Sequence, residues 1–597
     1  MSNSEVDKVN FRLDQVLVTS GAMLELPPGG VTVIVGANNA GKSTLLRQIN
    51  MVLQSGADVL PHQLPRLVQQ LGIFAEWSSE TLYQWLKASH GVIKRDPAAG
   101  GDYFHLAGLH NGNGQIIPVT SVFNGSLHST QAAVAQQLYG ELVFFADAQS
   151  RLGQQFSCAG KSEIGAPSGE PLHRLQDNRD VFDNLIAISE RVFGSSLLLD
   201  DYAGGTLRIR VGKVDLPIPL RNEPLGEFGD AVRDLPALDT QGDGMRSFFG
   251  LIVPVITGTK KIVLVDEPEA FLHPPQARAL GRELGTIAKN TDQQLVVATH
   301  DKDFIAGLLQ SEAPLSVARL VRDGNHTRIA QVPAADLKRV WDDRVLRYSN
   351  VLDGLFSRLV ILCEAEQDCR FYETALESYI DEGGDGTASA PLPSSDVLFI
   401  PTNGKDGFAK LIPTLQQLAV PTAVIVDIDI LKSVVQTKQL FESLGGNWNE
   451  VDTDYRLATE WLKTAGAKKT FSSVLQTITS VLGPKVAENP EGSYDSTTKE
   501  VIDELLRTGK DRWHEPKAAG VAVFRGQAQT AILELIKKFD ARGLHIVQVG
   551  ELERFAPALA KNKTWLPDAI HLEAHKSVEA QNLIRRILAP HLVSTTE

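Results

Sequence analysis

The sequence predicts an α/β protein of two domains, and three observations lead to that prediction. A glycine-rich loop at residues 36–43 follows an apolar strand and opens a helix. A second apolar strand, Ile262–Val265, is followed by two carboxylates. From residue 351 a new series of apolar strands and helices begins, and two of its strands also end in carboxylates. Strands that alternate with helices favour a largely parallel sheet in each half.

Length and composition restrict the class of protein. A chain of 597 residues is too long for one hydrophobic core. No apolar stretch reaches the roughly 18 to 20 residues that span a bilayer, so we expect no membrane partner. The first residues lack the basic start and apolar run of a signal peptide. Three cysteines suit a reducing compartment, and we expect a cytoplasmic protein.

The net charge does not decide the partner. A formal charge of -14 argues against a uniformly basic nucleic-acid binder. It leaves room for local contact, because an acidic metal site adds negative charge that a bound cation would offset.

The spacing of the strands predicts the domain boundaries. We assign an ATPase domain to residues 1–350 and a second α/β domain to residues 351–597. Roughly two hundred residues separate the glycine-rich loop from Ile262, which is far too many for a loop, so we predict an inserted lobe or arm over about 55–235. The second domain has predicted strands at 359–363, 397–400, 423–426 and 545–549, with a helical insertion over about 432–520.

The loop at residues 36–43 reads GANNAGKS and fits the phosphate-binding pattern G-x-x-x-x-G-K-[ST]. The two glycines let the backbone curl so that its N–H groups face phosphate oxygens. The lysine would reach the β- and γ-phosphates, and the serine would coordinate Mg²⁺. An ordinary glycine-rich turn would lack the preceding strand and following helix. We predict that ATP contacts Gly36, Asn38, Asn39, Ala40, Gly41, Lys42, Ser43 and Thr44.

The strand IVLVDEPE supplies the predicted hydrolytic residues. A carboxylate at the end of a buried strand can hold Mg²⁺ through water, which is the role predicted for Asp266. The next carboxylate, Glu267, is predicted to orient the attacking water. His300 follows the next apolar strand, where it would sense the γ-phosphate. A lone histidine there would more often be a surface or capping residue, and only its order after Glu267 favours the functional role.

These segments resemble a known family. The sequence DEPEAFLHP, followed by VVATHD, resembles the Walker B, D-loop and H-loop segments of ABC-type ATPases, especially the overcoming-lysogenization-defect (OLD) family. The sequence TQGDGMRSF at 240–248 resembles their degenerate signature motif. The resemblance implies that Gly242, Asp243, Gly244 and Met245 act on ATP bound to another subunit. Gln149 is either a Q-loop residue or part of a plain polar loop.

Carboxylates at strand ends in the second half predict a metal centre. Glu364 follows the strand RLVILC, and Asp427 and Asp429 follow TAVIV. Carboxylates that leave buried strands together can converge on hard cations, which prefer oxygen ligands. Two Mg²⁺ or Mn²⁺ ions roughly 3.5 to 4 Å apart would stabilise the attacking and leaving oxygens of phosphodiester cleavage.

The same carboxylates resemble the acidic centre of a Toprim domain, in which a strand-terminal Glu is followed later by D-x-D. This chain has Ala365 where the usual pattern has Gly. The segment FIPTNGKDGFAKL at 399–411 lies where Toprim domains have their second strand and a glycine-containing turn. The later VQVGELERF resembles the Gly-x-[ILV]-Glu segment of OLD-family Toprim domains. The resemblance implies a metal set of Glu364, Asp368, Asp427, Asp429, Glu551 and Glu553.

Lysines leave two questions open. OLD-family nucleases also use a lysine late in the domain, and the sequence does not separate Lys510 from Lys517. The cluster of Lys463, Lys468 and Lys469 in the helical insertion is more often a solvated face than a contact with the nucleic-acid backbone.

The leading functional prediction is an ATP-regulated, metal-dependent endonuclease that cuts DNA. The resemblance implies a role in bacterial defence against phage. Two alternatives stay open: a Toprim ribonuclease, for example on tRNA, and a non-catalytic SMC-like ATPase scaffold. We expect at least a homodimer, because ABC-type heads need a partner head to complete the ATP site, and an accessory defence protein or RNA is a candidate trigger.

Overall fold

The computed structural model describes most of the chain as two compact units, residues 1–348 and 349–597. The described residues are 8–56, 66–90, 93–96, 101–106, 115–123, 136–161, 168, 170–202, 205–220, 223–258, 260–323, 326–332, 334–343, 350–383, 392–463, 470–495, 498–499, 501–502, 512–562 and 564–591.

The first unit contains fifteen strands among its described residues. They are β1 Asn10–Val18, β2 Met23–Glu25, β3 Gly30–Gly36, β4 Val68–Glu76, β5 Ile93–Asp96, β6 Gly101–Leu106, β7 Gln115–Pro118, β8 Val143–Ala146, β9 Ser157–Ala159, β10 Leu197–Asp200, β11 Thr206–Val211, β12 Ile262–Asp266, β13 Gln294–Ala298, β14 Leu315–Asp323 and β15 His326–Val332.

The helices of the first unit pack around these strands. Their bounds are Lys42–Ser55, Ser79–His90, Val119–Phe123, Tyr139–Leu142, Ala148–Leu152, Pro171–Asp177, Arg179–Phe193, Gly226–Asp234, Asp243–Ile256, Pro274–Asn290, Lys302–Gln310 and Ala334–Asp342. Two of these helices take their names from the predicted motifs at their N-termini. Lys42–Ser55 is the P-loop helix, and Asp243–Ile256 is the signature helix.

A six-stranded sheet in the order β15-β14-β3-β13-β12-β8 forms the centre of the first unit. Every neighbouring pair is parallel except β14 and β15. All residues of β3, β12 and β13 are buried, as expected for apolar strands covered on both faces. Because β3, β13 and β12 are neighbours, the glycine-rich loop, His300 and Asp266 all lie at one edge of the sheet.

The predicted insertion differs from the structure in one respect. Residues 55–235 do not form one continuous lobe, because β8 lies within this range and pairs with β12 in the central sheet. Strand β4 also returns to pair with β1. The physical reason is hydrophobic: the apolar run Leu142–Phe145 completes the buried edge of the sheet beside β12. Two further small sheets, β5-β6-β7 and β10-β11-β9, lie within the same range.

The second unit has a four-stranded parallel sheet in the order β17-β16-β18-β19. The strands are β16 Leu359–Cys363, β17 Val397–Pro401, β18 Thr422–Val426 and β19 Leu544–Ile546. The helices are Glu366–Asp381, Phe408–Gln417, Val434–Ser443, Asp452–Lys463, Phe471–Glu488, His514–Ala519, Gln527–Asp540, Trp565–His571 and Val578–Leu588. Strands β16 and β18 are direct neighbours, so the residues that follow them meet at one edge.

No helix among the described residues combines the length and the apolar character needed to cross a membrane.

Candidate ATP site and carboxylate centre

The glycine-rich loop connects β3 to the P-loop helix through residues in unusual backbone conformations. Gly36 and Gly41 have φ of 150° and 95°, and Asn39 has φ of 59°. A Cβ atom on Gly36 would lie 2.5 Å from the carbonyl oxygen of Leu320, so this position requires glycine. The Lys42 ammonium donates to the carbonyls of Gly36 (2.8 Å) and Ala37 (3.1 Å). The loop therefore curls around its own lysine at a helix N-terminus, which favours anions.

Asp266 ends β12 beside this loop. Its carboxylate is buried, accepts a hydrogen bond from the Ser43 hydroxyl, and lies 3.5 Å from the Arg47 guanidinium. Burial raises its pKa, and Ser43 and Arg47 partly offset that rise. In the described part of the chain, Asp266 Oδ1 has no hydrogen-bond partner. A buried carboxylate oxygen without a partner, next to a serine hydroxyl, fits a Mg²⁺ site.

Glu267 and His300 lie at the same edge of the sheet. Glu267 has φ of 49°, which is rare for a residue other than glycine. His300 Nδ1 is 3.9 Å from the Glu267 carboxylate and 3.1 Å from the Glu269 carboxylate. The backbone N–H of His300 also donates to Glu269, at 3.0 Å. Glu269, which the sequence analysis did not single out, therefore orients His300 through both its ring and its backbone.

The signature residues begin the signature helix. Gly242 is the residue before its first turn, and Asp243, Gly244 and Met245 lie in that turn. Gly242 and Asp243 are exposed, so the N-terminus of this helix is open to a ligand. A Cβ atom on Gly244 would lie 3.0 Å from the Phe271 carbonyl oxygen, a tight contact. Gln149 is exposed on the helix Ala148–Leu152 that follows β8.

Arg151 connects these segments and was not recognised in the sequence. Its side chain is 1% exposed, and it donates to the carbonyls of Asp266 (3.1 Å) and Glu267 (2.7 Å). It also donates to the Ser247 hydroxyl in the signature helix, at 3.2 Å. Burial lowers the pKa of Arg151 to about 10, so the guanidinium stays charged at neutral pH.

The second unit brings three of the predicted metal ligands together. Glu364, Asp427 and Asp429 each offer a carboxylate oxygen, and these oxygens all lie within 4.8 Å of one another. The arrangement follows from the topology, because β16 and β18 are parallel neighbours that end at the same edge. The backbone N–H of Asp427 hydrogen-bonds to Glu364, which fixes the two strand ends together.

Two carboxylates of this centre have raised pKa values. Burial raises the pKa of Asp427 to about 8, and the neighbouring Glu364, Asp368 and Asp429 add to the rise. Burial also raises the pKa of Glu364, against the opposing charge of Lys405. Among the described residues, Glu364 Oε1 is buried and has no hydrogen-bond partner. Converging carboxylates with one unpartnered oxygen fit a hard divalent cation.

The replacement of glycine by Ala365 does not disturb the strand end. Ala365 has φ of -139° and ψ of 170°, an extended conformation that any residue adopts. The departure from the usual Toprim pattern therefore introduces no backbone strain at Glu364.

Two lysines, Lys405 and Lys517, connect the carboxylates of the centre to one another and to Glu551. Lys405, from the loop after β17, pairs with Asp429 and lies 3.9 Å from Glu364. Lys517 lies 3.3 Å from Asp429 and 3.5 Å from Glu551. The structure thus places Lys517 at the centre, whereas Lys510 lies outside the described residues. Burial raises the pKa of Asp429, but the hydrogen bonds and charges of these two lysines outweigh it, and the net pKa is lowered.

The remaining predicted ligands lie outside the group of three. Glu551 is buried and lies 3.2 Å from Lys561, which also pairs with Glu553 at 2.8 Å. The Asp368 carboxylate accepts the backbone N–H of Ala365 at 2.8 Å, as a helix cap does. Burial raises the pKa of Asp368 to about 6. Glu551 therefore joins the centre through Lys517, while the role of Glu553 and Asp368 as ligands stays a prediction.

The raised pKa of Asp427 predicts how cation binding depends on pH. A metal needs the deprotonated carboxylate, so below a pKa of about 8 the metal must displace a proton. We expect the Kd for Mg²⁺ to fall by up to about 10-fold per pH unit from pH 6 to pH 8 and then to level off. Isothermal titration calorimetry at pH 6.5, 7.5 and 8.5, in buffers of different ionisation enthalpy, measures both the Kd and the proton released. Equal Kd values across that range, with no proton release, would contradict this assignment.

Each of the two units contains a segment that matches a known protein family. Residues 164–306 match the family model described as "AAA domain, putative AbiEii toxin, Type IV TA system". Residues 355–429 match "Overcoming lysogenization defect protein-like, TOPRIM domain". These matches confirm the predicted α/β fold class and the resemblance to the ATPase and Toprim domains of OLD-family proteins.

Two curated relatives are nucleases by name. The chain is 20% identical over 308 residues to the Old nuclease of Escherichia phage P2, a match that covers 48% of this chain and 47% of that protein. It is 23% identical over 449 residues to the OLD nuclease of Thermus scotoductus (strain ATCC 700910 / SA-01), covering 68% of this chain and 79% of that protein. The match thus spans less than half of the phage protein. Among solved structures, the SMC head domain from Thermotoga maritima aligns with 55% of this chain and 100% of that chain, at 15% identity and a TM-score of 0.27.

Proposed function

Because the chain has the ATPase–Toprim architecture of the OLD family, we propose that it is an ATP-hydrolysing endonuclease that uses Mg²⁺ or Mn²⁺ to cut DNA. One observation carries the nuclease half of the proposal. Three carboxylates from neighbouring parallel strands offer oxygens within 4.8 Å of one another, and one of these carboxylates keeps a buried oxygen without a hydrogen-bond partner. A fold without metal chemistry has little reason to hold such a repulsive group together.

In the ATPase half, each residue has a separate task. The curled loop would bind the phosphates through its backbone N–H groups. The Lys42 ammonium would leave the carbonyls of Gly36 and Ala37 and contact the γ-phosphate. Ser43 and Asp266 would hold Mg²⁺, which supplies charge neutralisation on the phosphates when bound. Glu267 would accept a proton from the attacking water, and His300, fixed by Glu269, would contact the γ-phosphate.

In the nuclease half, Glu364, Asp427 and Asp429 would hold the cations. Bound divalent ions would supply an activated water and stabilise the leaving oxygen of the phosphodiester. Lys405 and Lys517 now neutralise the carboxylates. Once a cation takes over that task, their ammonium groups would be available to the scissile phosphate, which is the role we propose for the late lysine at Lys517.

A groove whose lining includes three arginines, a glutamate and a tryptophan is the proposed contact with nucleic acid. A cavity of about 930 Å³ is lined by Arg456, Trp461, Arg512 and Arg525, among others. The Arg512 guanidinium lies over the Trp461 ring, 4.6 Å from its centroid, and is fixed by two hydrogen bonds to Glu515. Arginines and an aromatic ring are the groups that contact backbone phosphates and bases.

The groove is tied to the carboxylate centre. The helix Asp452–Lys463, which carries Trp461, is anchored by the Tyr455 hydroxyl, which donates to the Leu431 carbonyl at 2.7 Å. Leu431 lies in the short helical turn Ile428–Lys432 that also carries Asp429. Lys463 is exposed at the end of the same helix, and Lys468 and Lys469 lie outside the described residues. The helix that carries Trp461 is therefore connected to the turn that carries Asp429.

The proposal extends to the oligomeric state, the cellular compartment and the biological role of the protein. The exposed Gly242 and Asp243 would close over ATP bound to a second copy of the chain, as a homodimer or higher oligomer. The three cysteines carry no disulfide and suit the cytoplasm. The resemblance to OLD-family proteins supports a role in defence against phage, with an accessory protein or RNA as trigger.

The proposal is tested by cleavage assays on plasmid DNA and on tRNA, each with Mg²⁺, Mn²⁺ or EDTA, and with or without ATP. We expect the wild type to cut DNA with either metal, and we expect EDTA to abolish cleavage, because the carboxylates cannot activate water alone. Glu364→Ala, purified in parallel, excludes a contaminating nuclease. Cleavage of tRNA alone would favour the ribonuclease, and no cleavage of either substrate, with ATP hydrolysis intact, would favour the scaffold.

A further inference from the structure

The buried guanidinium of Arg151 lies where two ATPase motifs meet. Its Nη1 and Nη2 atoms donate to the carbonyls of Asp266 and Glu267, at 3.1 and 2.7 Å. Its Nε atom donates to the Ser247 hydroxyl at 3.2 Å, and that serine follows the signature residues by less than one helical turn. One side chain therefore contacts the end of β12 and the signature helix together.

Arg151 helps to hold an unusual backbone in place. Glu267 has a positive φ of 49°, a conformation that persists only when its surroundings fix it. Its N–H donates to the Ala298 carbonyl at 2.9 Å, and its own carbonyl accepts from Arg151. The same carbonyl also accepts from the Ala270 N–H at 3.0 Å. These three hydrogen bonds fix both sides of the residue, whose carboxylate lies 3.9 Å from His300. Loss of the guanidinium would leave the Glu267 carbonyl with the Ala270 N–H alone.

The signature helix is attached to the same arginine by further contacts. A Cβ atom on Gly250 would lie 2.3 Å from the Arg151 carbonyl oxygen, so the helix approaches the arginine backbone closely. Arg246 donates to the carbonyl of Leu152, the next residue. The Ser247 hydroxyl donates in turn to the Ala270 carbonyl at 3.1 Å. Movement of the signature helix would therefore be transmitted to Arg151 and, through it, to Glu267.

The contacts require an arginine. The guanidinium of Arg151 donates from three different nitrogens to two backbone carbonyls and one hydroxyl. A lysine ammonium reaches such acceptors from a single point and cannot match this geometry. Burial disfavours the charge, and the nearby carboxylates of Glu269, Asp147, Asp266 and Glu267 favour it. Three of these four carboxylates belong to the segment 266–269, so the guanidinium is bound to the end of β12 by charge as well as by hydrogen bonds.

We propose that Arg151 is a positioning residue that couples the signature helix to the Glu267 backbone. This inference rests on the proposed ATPase function. Since the signature of one subunit would close over the ATP of another, Arg151 would report that closure to the ATP site of its own subunit. Glu267 would then reach its hydrolytic position only when the partner head is engaged. Arg151 itself would not touch ATP.

The test compares Arg151→Met, Arg151→Lys, Ser247→Ala and the double variant Arg151→Met/Ser247→Ala. We expect Arg151→Met to lower the kcat for ATP hydrolysis by about 100-fold, with the Kd for ATP within about 3-fold of the wild type. The kcat of Arg151→Lys should lie between those of Arg151→Met and the wild type. Ser247→Ala should lower kcat by about 10-fold. The kcat of the double variant should be no lower than that of Arg151→Met, because both substitutions break the same connection between Arg151 and Ser247.

Arg179→Met is the control, because this exposed arginine of the same unit pairs with Asp183 within its own helix, Arg179–Phe193. Its kcat should stay within about 2-fold of the wild type. The inference is overturned if Arg151→Met keeps a wild-type kcat, if kcat and ATP affinity fall together, or if the effects of Arg151→Met and Ser247→Ala simply add. Should Arg151→Met fail to fold, a wild-type kcat in Ser247→Ala overturns it alone. A wild type that hydrolyses no ATP would instead refute the proposed ATPase function.

Discussion

Replacement of Asp427 by Asn is expected to lower the rate of nucleic-acid cleavage by at least about 10³-fold, because it removes the central charge of the cation site. Asp427 follows β18 and shares the carboxylate centre with Glu364 and Asp429. Asn has nearly the same shape, so the fold should persist. The metal-free variant should in fact be more stable than the wild type at pH 8, because a buried carboxylate with a pKa of about 8 no longer has to lose its proton.

The sign of that stability change follows from the titration. The folded-state pKa of Asp427 is raised from 3.8 to about 8, so its contribution to stability is full below pH 3.8 and is lost progressively as the pH rises from there to 8. Thermal unfolding in EDTA at several pH values measures this directly. ATP hydrolysis by Asp427→Asn should remain at the wild-type level.

Glu366→Gln is the matched control for Asp427→Asn. Glu366 lies two residues after Glu364, but its side chain is 68% exposed and pairs with Arg370. Its cleavage rate should stay within about 3-fold of the wild type, as expected for an exposed ion pair. Loss of cleavage in both variants, or in neither, would show that the carboxylate centre is not the cutting site.

Replacement of Glu267 by Gln is expected to lower the kcat for ATP hydrolysis by at least about 100-fold while the Kd for ATP stays near the wild-type value. The amide cannot accept the proton of the attacking water, but it leaves the phosphate-binding loop and Asp266 unchanged. A fluorescent ATP analogue measures binding, and phosphate release measures turnover. The variant should also accumulate with ATP bound, which would strengthen association between heads.

Glu312→Gln is the matched control for Glu267→Gln. Glu312 also has a positive φ, of 56°, and its carboxylate is exposed and 3.4 Å from Lys289. Its kcat should match that of the wild type within about 2-fold. If Glu267→Gln hydrolyses ATP as fast as Glu312→Gln, another residue activates the water.

The fold could be predicted from local sequence because its strands are unusually clear. The runs Ile262–Val265, Leu359–Cys363 and Ala423–Val426 are apolar throughout, as fully buried parallel strands are. The carboxylates that follow them were expected to converge because parallel neighbours end at the same edge. The participation of β8 in the central sheet was not predicted, because four apolar residues within a long insertion do not show which strand they will pair with.

The long-range contacts of the sites could not be read from the sequence. Arg151 reaches Ser247 and Glu267, which are 96 and 116 residues away, and no local pattern distinguishes it from a surface arginine. Lys517 lies in the helix His514–Ala519 and contacts Asp429 across 88 residues, which no local pattern predicts. The sequence did indicate Glu551, but not that Lys517 would stand between it and Asp429. Whether Glu551, Glu553 and Asp368 bind metal stays a prediction.

The most direct test of the central claim is anomalous diffraction from crystals grown with Mn²⁺. We expect a manganese peak roughly 2.0 to 2.3 Å from oxygens of Glu364, Asp427 and Asp429, with Lys405 displaced from Asp429. A crystal that binds Mn²⁺ elsewhere, or leaves Lys405 paired with Asp429 at saturating Mn²⁺, would contradict it.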